Sequence, residues 1–208
     1  MTTAALIRTA LQKAQEYAAK RSNGKGDFDP KLEALQPVLK GELPVHIHAH
    51  RADDIATALR LSKEFGLRCV IVHGTEGHLI AKEIAAAGVS VITGPSLTDR
   101  SKPELQNASL TNPAVLAAAG VKVAICTDHP VIPIQYLPLC AALAVRGGMS
   151  EEAALAAITK NPAELLGLGH RLGTLEPGKD ADIVVTPDSP FSATCVPTVV
   201  VLEGKRVV

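Results

Sequence analysis

From Pro44 onward, short runs of β-branched and aliphatic residues alternate with longer segments whose apolar positions recur every three or four residues. The short runs predict strands and the longer period predicts amphipathic helices. Strands are expected over residues 45–49, 68–72, 89–93 and 121–126, and helices over 52–65, 78–87, 113–119, 138–146 and 151–159. Local signals agree. Asp53 and Asp54 fall in the first turn of a helix, where the dipole favours negative charge. Gly66, Gly88 and Gly120 follow helix ends, and Ser150 stands where an N-cap is needed.

Upstream, residues 3–20 are Ala-rich with Leu6, Ile7, Leu11 and Ala14 on one predicted helical face. A polar, glycine-bearing stretch over 21–29 follows, and Pro30 opens a short predicted helix through residue 38, closed by Gly41. After Gly178 the pattern changes to short β segments at 181–185, 196–202 and 205–208. The expected organisation is a helical segment over 1–40, a β/α unit over 41–170 and a C-terminal β segment over 171–208.

A β-α-β-α order implies parallel strands joined by right-handed crossovers. Four βα units are visible, whereas a closed (β/α)8 barrel takes roughly 250 residues and this chain has 208. The fold class is therefore α/β: either a partial (β/α)8, TIM-type barrel of about four units, or an open four-stranded sheet. Hydrophobic residues make up 47% of the chain but aromatics only 2%, so Ala, Val, Leu and Ile must build the core, as suits helices on a buried parallel sheet. The formal net charge of zero provides no basic footprint for nucleic acid. No apolar run is long enough to span a bilayer, and no signal-peptide pattern opens the chain. Cys69, Cys126, Cys140 and Cys195 lack zinc-knuckle spacing, which points to reduced thiols and a cytoplasmic setting.

Chemistry concentrates where strands end. His46, His48 and His50 occupy every second position, so an extended strand presents all three on one face. That pattern suits a metal or acid–base site, or a sheet edge that solvates its histidines. The second predicted strand runs into His73-Gly-Thr-Glu76, the third into Thr93 and a polar loop with Arg100 and Lys102, and the fourth into Thr127-Asp128-His129-Pro130. Ligands of parallel α/β sheets sit at this carboxyl end, and imidazoles with a carboxylate suit zinc and similar divalent ions.

The order His-x-His, then His, then Asp on successive strands resembles the second half of the metal-dependent amidohydrolase superfamily. The tail from Asn161 to Val185 is similar to that superfamily's C-terminal signature. The resemblance runs from about residue 40 to the end. His48-Ala-His-Arg51 with His73-Gly-Thr-Glu76 and Thr127-Asp-His-Pro130 looks most like the imidazolonepropionase-like amidohydrolases. It implies His48, His73 and Asp128 as metal ligands, with Asp128 also the catalytic proton carrier. It implies His50 and Arg51 facing the substrate, and Arg100 and Lys102 binding an anionic group. The implied cofactor is a divalent metal, zinc foremost and iron or manganese also fitting, with water attacking an amide or cyclic amide C–N bond of a small molecule. The terminal β segment would belong to the family's composite domain.

The family's first-strand His-x-His pair has no counterpart before residue 40, so the chain is expected to represent a C-terminal half. A missing N-terminal half-barrel, or a second copy in a homo-oligomer, would then cover the open sheet edges. A folded but catalytically inactive half-barrel is the alternative function. Plainer roles also stand beside the site roles. His46 is structural, Asp128 is a turn cap near Pro130, Glu76 serves an outer or helix-terminal role, and Arg100 and Lys102 belong to a solvated loop. His129 packs beside the site, His78 and His170 are solvated, and Asn161-Pro162 caps a helix.

Overall fold

In the computed structural model, which describes residues 2–208, the alternation of the sequence becomes one parallel sheet of order β1-β2-β3-β4. Its strands are β1 (Val45–Ala49), β2 (Cys69–His73), β3 (Ser90–Thr93) and β4 (Val123–Ile125). The register sets Ile47 opposite Ile71, Ile71 opposite Val91 and Val91 opposite Val123. Since side chains alternate across a strand, these residues share one face with Ala49 and Ile125. That face is covered by α4 (Ala52–Phe65), α5 (Ala81–Ala86), α6 (Asn112–Ala118), α7 (Leu137–Arg146) and α8 (Glu151–Ile158). Ile55, Ile71, Ile84, Val91 and Leu116 are fully buried between the layers. Burying each such side chain contributes about 1.5–3 kcal/mol. Ala141, Ala144, Ala154 and Ala157 complete the core from the helix side, so the aliphatic composition is used as expected. The other parity, His46, His48, Val72 and Ile92, lies on the opposite sheet face. The sheet is open, with β1 and β4 at its two edges.

The N-terminal segment is α1 (Thr2–Ser22), α2 (Pro30–Glu33) and α3 (Gln36–Leu39). The expected apolar face of α1 is only partly used. Leu11, Ala14 and Tyr17 are buried, while Leu6 and Ile7 are 67% and 38% exposed. The helix meets a single layer, where Leu11 packs with Leu61, Phe65 and Leu67, and a narrow stripe suffices. Arg8 also forks onto Glu64 of α4 at 2.8 Å. The single helix predicted from Pro30 is two. Asp29 caps α2 by accepting from the N–H groups of Lys31 and Leu32, and Pro37 then offers no N–H to continue that helix.

The helix predicted from residue 78 begins instead as a 3-10 turn over Gly77–Ile80, with α5 following. The N–H of His78 donates to Asn112 Oδ1 at 2.8 Å. Asn161 does not cap a helix. It lies inside α9 (Lys160–Leu165) and donates from Nδ2 to the carbonyl of Val123 at 2.7 Å, tying α9 to β4. The terminal sheet is antiparallel, of β5 (Ile183–Val185), β6 (Val199–Leu202) and β7 (Lys205–Arg206). Glu203 and Gly204 join the last two with positive φ of 50° and 76°, as a two-residue type I′ hairpin turn requires. All four cysteines are free thiols. No helix among the described residues is long and apolar enough to cross a membrane.

Ile71 is fully buried and sits between two neighbouring strands. Ile71→Ala is expected to lower unfolding free energy by about 2–5 kcal/mol. The exposed Leu6→Ala should change it by less than about 0.5 kcal/mol. Urea titrations followed by circular dichroism measure both.

Candidate metal centre

Alternation along β1 places His48 on the open face of the sheet, and the chain carries His50 one step beyond the strand end. Alternation along β2 would instead send His73 to the helix-covered face with Ile71. Its backbone prevents this. His73 adopts a left-handed conformation, φ 72°, and Gly74 follows with φ 50°. The ring of His73 thereby lies with its centroid 4.4 Å from that of His48 and 4.6 Å from that of His50, and the latter two are 4.8 Å apart. One ring nitrogen from each residue lies within 4.8 Å of the others. Left-handed backbone costs roughly 1–2 kcal/mol outside glycine and persists where surroundings over-determine it. Among the described residues only His73, Asp128 and Glu203 adopt it without being glycine, and two of those three line one cleft.

The strand ends are clamped past the sheet. The Gly74 N–H donates to the Ala49 carbonyl at 2.9 Å, and that of Glu76 to the His50 carbonyl at 2.8 Å. His73 Nδ1–H donates to the Gly94 carbonyl at 2.7 Å. A carbonyl only accepts, so Nδ1 carries the proton of this bond and Nε2 is the nitrogen left to face the cleft. Gly94 supplies this carbonyl from a backbone packed so tightly that an added Cβ would stand 2.2 Å from the Cys126 oxygen. His50 Nδ1 meets Thr75 Oγ1 at 2.8 Å.

Two buried polar residues complete the frame. Asn112 donates from Nδ2 to the Gly74 carbonyl at 3.0 Å and to Thr93 Oγ1 at 3.1 Å, joining the ends of β2 and β3. Glu76 accepts from the Ala52 N–H at 2.7 Å and from Asn107 Nδ2 at 2.8 Å. Burial works to raise the Glu76 pKa, but these bonds outweigh it and hold the carboxyl below its ordinary value. Glu76 thus fills both roles open to it, binding at the N-terminus of α4 and bracing the site from outside. Burial and the neighbouring His73 lower the pKa of His48, and burial with His73 and His48 pushes His50 down to about 4.

A cleft of about 830 Å³ opens over the three rings. Asp128 lines it, yet stands outside the close-set group of three imidazoles. Arg100 and Lys102 line it from the segment after β3, where Arg100 also donates to the Ala108 carbonyl at 2.8 Å. Arg51 is not among the lining residues. Its guanidinium turns onto Asp53, at 3.0 and 3.2 Å. His46 lies lower on β1 and is exposed, as are His129 and His170. His78, expected in solvent, is half-buried in the cleft wall, with Nδ1 shielded, because Asn112 pins its backbone there. Thr75 and Asn107 escaped the sequence reading, and so did the bracing role of Asn112. Thr75 had a signal, since it lies inside the His-Gly-Thr-Glu motif; Asn107 and Asn112 gain their partners only through chain contacts 31 and 38 residues away.

Residues 31–207 match the family described as the Amidohydrolase family. An imidazolonepropionase of Geobacillus kaustophilus (strain HTA426) is 47% identical over 161 residues, 75% of this chain and 32% of that protein. The crystal structure of an amidohydrolase from Thermotoga maritima MSB8 superposes with a TM-score of 0.93 at 42% identity, covering 99% of this chain and 55% of that one. An adenosine deaminase from Xanthomonas campestris, solved with bound zinc, superposes with a TM-score of 0.57 at 28% identity, over 79% of this chain and 45% of that one. The chain therefore spans about a third of the curated relative and about half of each solved one, and its parallel four-stranded sheet with helices matches a partial TIM-type amidohydrolase fold.

In metal-free protein, His50 titrates near 4 when folded and near 6.5 when unfolded. Between those values the unfolded chain binds more protons, so stability is expected to fall as pH drops from about 6.5 to about 4. His50→Asn should reduce that slope. Urea unfolding across this pH range, with a chelator present, measures it.

Proposed function

We propose that this chain, which belongs to the amidohydrolase family, carries in its histidine cleft a divalent-metal site for hydrolysing C–N bonds of small molecules. One observation carries the reading: His48, His50 and His73 bring ring nitrogens to within 4.8 Å of one another at the floor of a cleft. The donor set fits a metal. Imidazole is a preferred ligand of zinc, iron and related ions, and His73 already holds its Nδ1 proton on a carbonyl, as ligating histidines commonly do. Zinc is the metal favoured here, supported by the imidazole-rich donors and by the zinc-containing deaminase of the same fold.

His48 and His73 would hold the ion, which when bound supplies Lewis-acid polarisation and water activation. The other roles belong to side chains of the cleft. Asp128, exposed on the cleft wall, accepts the proton of the attacking water and returns it to the leaving nitrogen. Arg100 and Lys102 offer positive charge to an anionic substrate group. Arg51, held on Asp53 outside the cleft lining, has no part in this set. Kinship with an imidazolonepropionase supports a small cyclic amide as substrate. Residues 41–170 form the unit that bears the site, flanked by 1–40 and 171–208. The four free thiols support a reducing compartment such as the cytoplasm.

Zinc-loaded protein, assayed against a panel of cyclic amides by the appearance of the ring-opened acid, should show hydrolysis that a chelator abolishes. Asp128→Asn should lower kcat by roughly 100-fold or more, the scale of a lost general base, while circular dichroism stays unchanged. Zinc-loaded protein that opens none of these rings would refute the reading.

A further inference from the structure

Resting on the reading of the cleft as a hydrolase site, we propose that His78 is a substrate-binding residue. Its Nε2–H donates to an oxygen acceptor, a carboxylate or an amide carbonyl, on a substituent of the cyclic amide. The contact is to that substituent and not to the C–N bond that breaks.

The turn that carries His78 is locked in place. Where local pattern predicts a helix, the chain makes a 3-10 turn over Gly77–Ile80. The Gly77 N–H donates to the Gly74 carbonyl at 2.8 Å, and that of Leu79 to the Glu76 carbonyl at 3.0 Å. Gly77 lies hard against α6: an added Cβ would stand 3.3 Å from both terminal methyl carbons of Leu116. Asn112 accepts the His78 N–H on Oδ1 at 2.8 Å, while its Nδ2 donates to the Gly74 carbonyl and the Thr93 hydroxyl. Asn112 is buried, so these bonds are costly to leave unmade. One side chain thereby fixes the His78 turn to the ends of β2 and β3.

The lock turns the imidazole to the cleft. His78 lines it together with the three floor histidines, Arg100 and Lys102. Its Nδ1 is shielded from solvent and bonds to no group among the described residues, whereas Nε2 is not shielded in this way. A neutral imidazole carries a single N–H. Buried N–H groups without an acceptor are rarer than under-used acceptors, so the proton belongs on Nε2. The ring then offers the cleft a donor, and its complement is an oxygen with lone pairs. Arg100 and Lys102 in the same lining favour a carboxylate, whose bonds to such donors are charge-assisted. An amide carbonyl satisfies the same donor without the charge. The roles given to His48, His73 and Asp128 leave this ring unused.

Ring opening by zinc-loaded protein of three hydantoins that differ only at C5 tests the contact. They bear a carboxymethyl, a carbamoylmethyl or the near-isosteric isobutyl group. The wild-type chain should show the lower KM for the two oxygen-bearing substrates. His78→Leu keeps bulk but has no side-chain N–H. It should raise KM by about 10-fold or more for the carboxymethyl substrate and by about 5–10-fold for the carbamoylmethyl one. The loss should fall on KM rather than kcat, as for a contact equal in ground and transition states, and be at least about threefold smaller for the isobutyl substrate. His78→Gln, which restores an N–H at similar reach, should recover most of it. A loss greater for carboxymethyl marks a carboxylate as the acceptor, and an equal loss in both oxygen-bearing substrates marks a carbonyl oxygen. A role in packing alone would move all three substrates alike and lower the urea midpoint. Equal changes across the three, or none in His78→Leu, would overturn the contact while leaving the hydrolysis reading in place. A wild-type chain that opens none of the three hydantoins would overturn it too, and one that opens no other cyclic amide either would take the hydrolysis reading with it.

Discussion

The left-handed backbone at His73 is the constraint on which the site depends. Without it, the alternation that serves Ile71 so well would place this ring among the helices, away from His48 and His50. Gly74 makes the turn tolerable: it continues with positive φ, and any larger residue would drive a Cβ to 2.7 Å from Val91. The Gly94 carbonyl then receives the redirected ring and fixes its proton. The local cost, on the order of 1–2 kcal/mol, is offset by bonds that all require β1, β2 and β3 to end at the same level.

That common level comes from the register. Ala49 pairs with His73 and His73 with Thr93, so three strands deliver their last residues together. Asn112 and Glu76 then act as cross-braces. Asn112 bonds to the Gly74 carbonyl and the Thr93 hydroxyl, and Glu76 bonds the start of α4 and, through Asn107, the wall that carries Arg100 and Lys102. Both residues are buried, and a buried polar group without partners costs about 1–3 kcal/mol. Loosening either brace therefore leaves groups unsatisfied on more than one element. The histidine floor and the wall with Arg100 and Lys102 are joined through the same two side chains.

The electrostatics suit a cation more than a proton. Three imidazoles in contact cannot all be charged cheaply, and desolvation presses His48 and His50 in the same direction. The floor stays uncharged at neutral pH at His50, while Arg100, Lys102 and Asp128 line the same cleft. A cation placed on the floor would meet ring nitrogens, with Arg100 and Lys102 elsewhere in the cleft lining. This separation of roles follows from where each strand ends.

Much of this was legible in the residues themselves. The short aliphatic runs and glycine stops located every strand of the parallel sheet to within two residues, because a strand buried under a helix layer is aliphatic and Gly66, Gly88 and Gly120 end the preceding helices with positive φ. The chemistry at strand ends, His48, His50, His73 and Asp128, was readable for the same topological reason. Errors fell where partners are remote. The bend of His78 out of a helix and the anchoring of Asn161 on β4 are set by space and by hydrogen bonds to residues 34 and 38 positions away, which local pattern does not encode. Sequence alone determined the layers, the end of the sheet that does chemistry and the residue types gathered there, since these follow from periodicity and connectivity. Only the tertiary structure decided that the His73 ring turns to stand with His48 and His50, because that placement depends on one backbone angle and on a carbonyl 21 residues away.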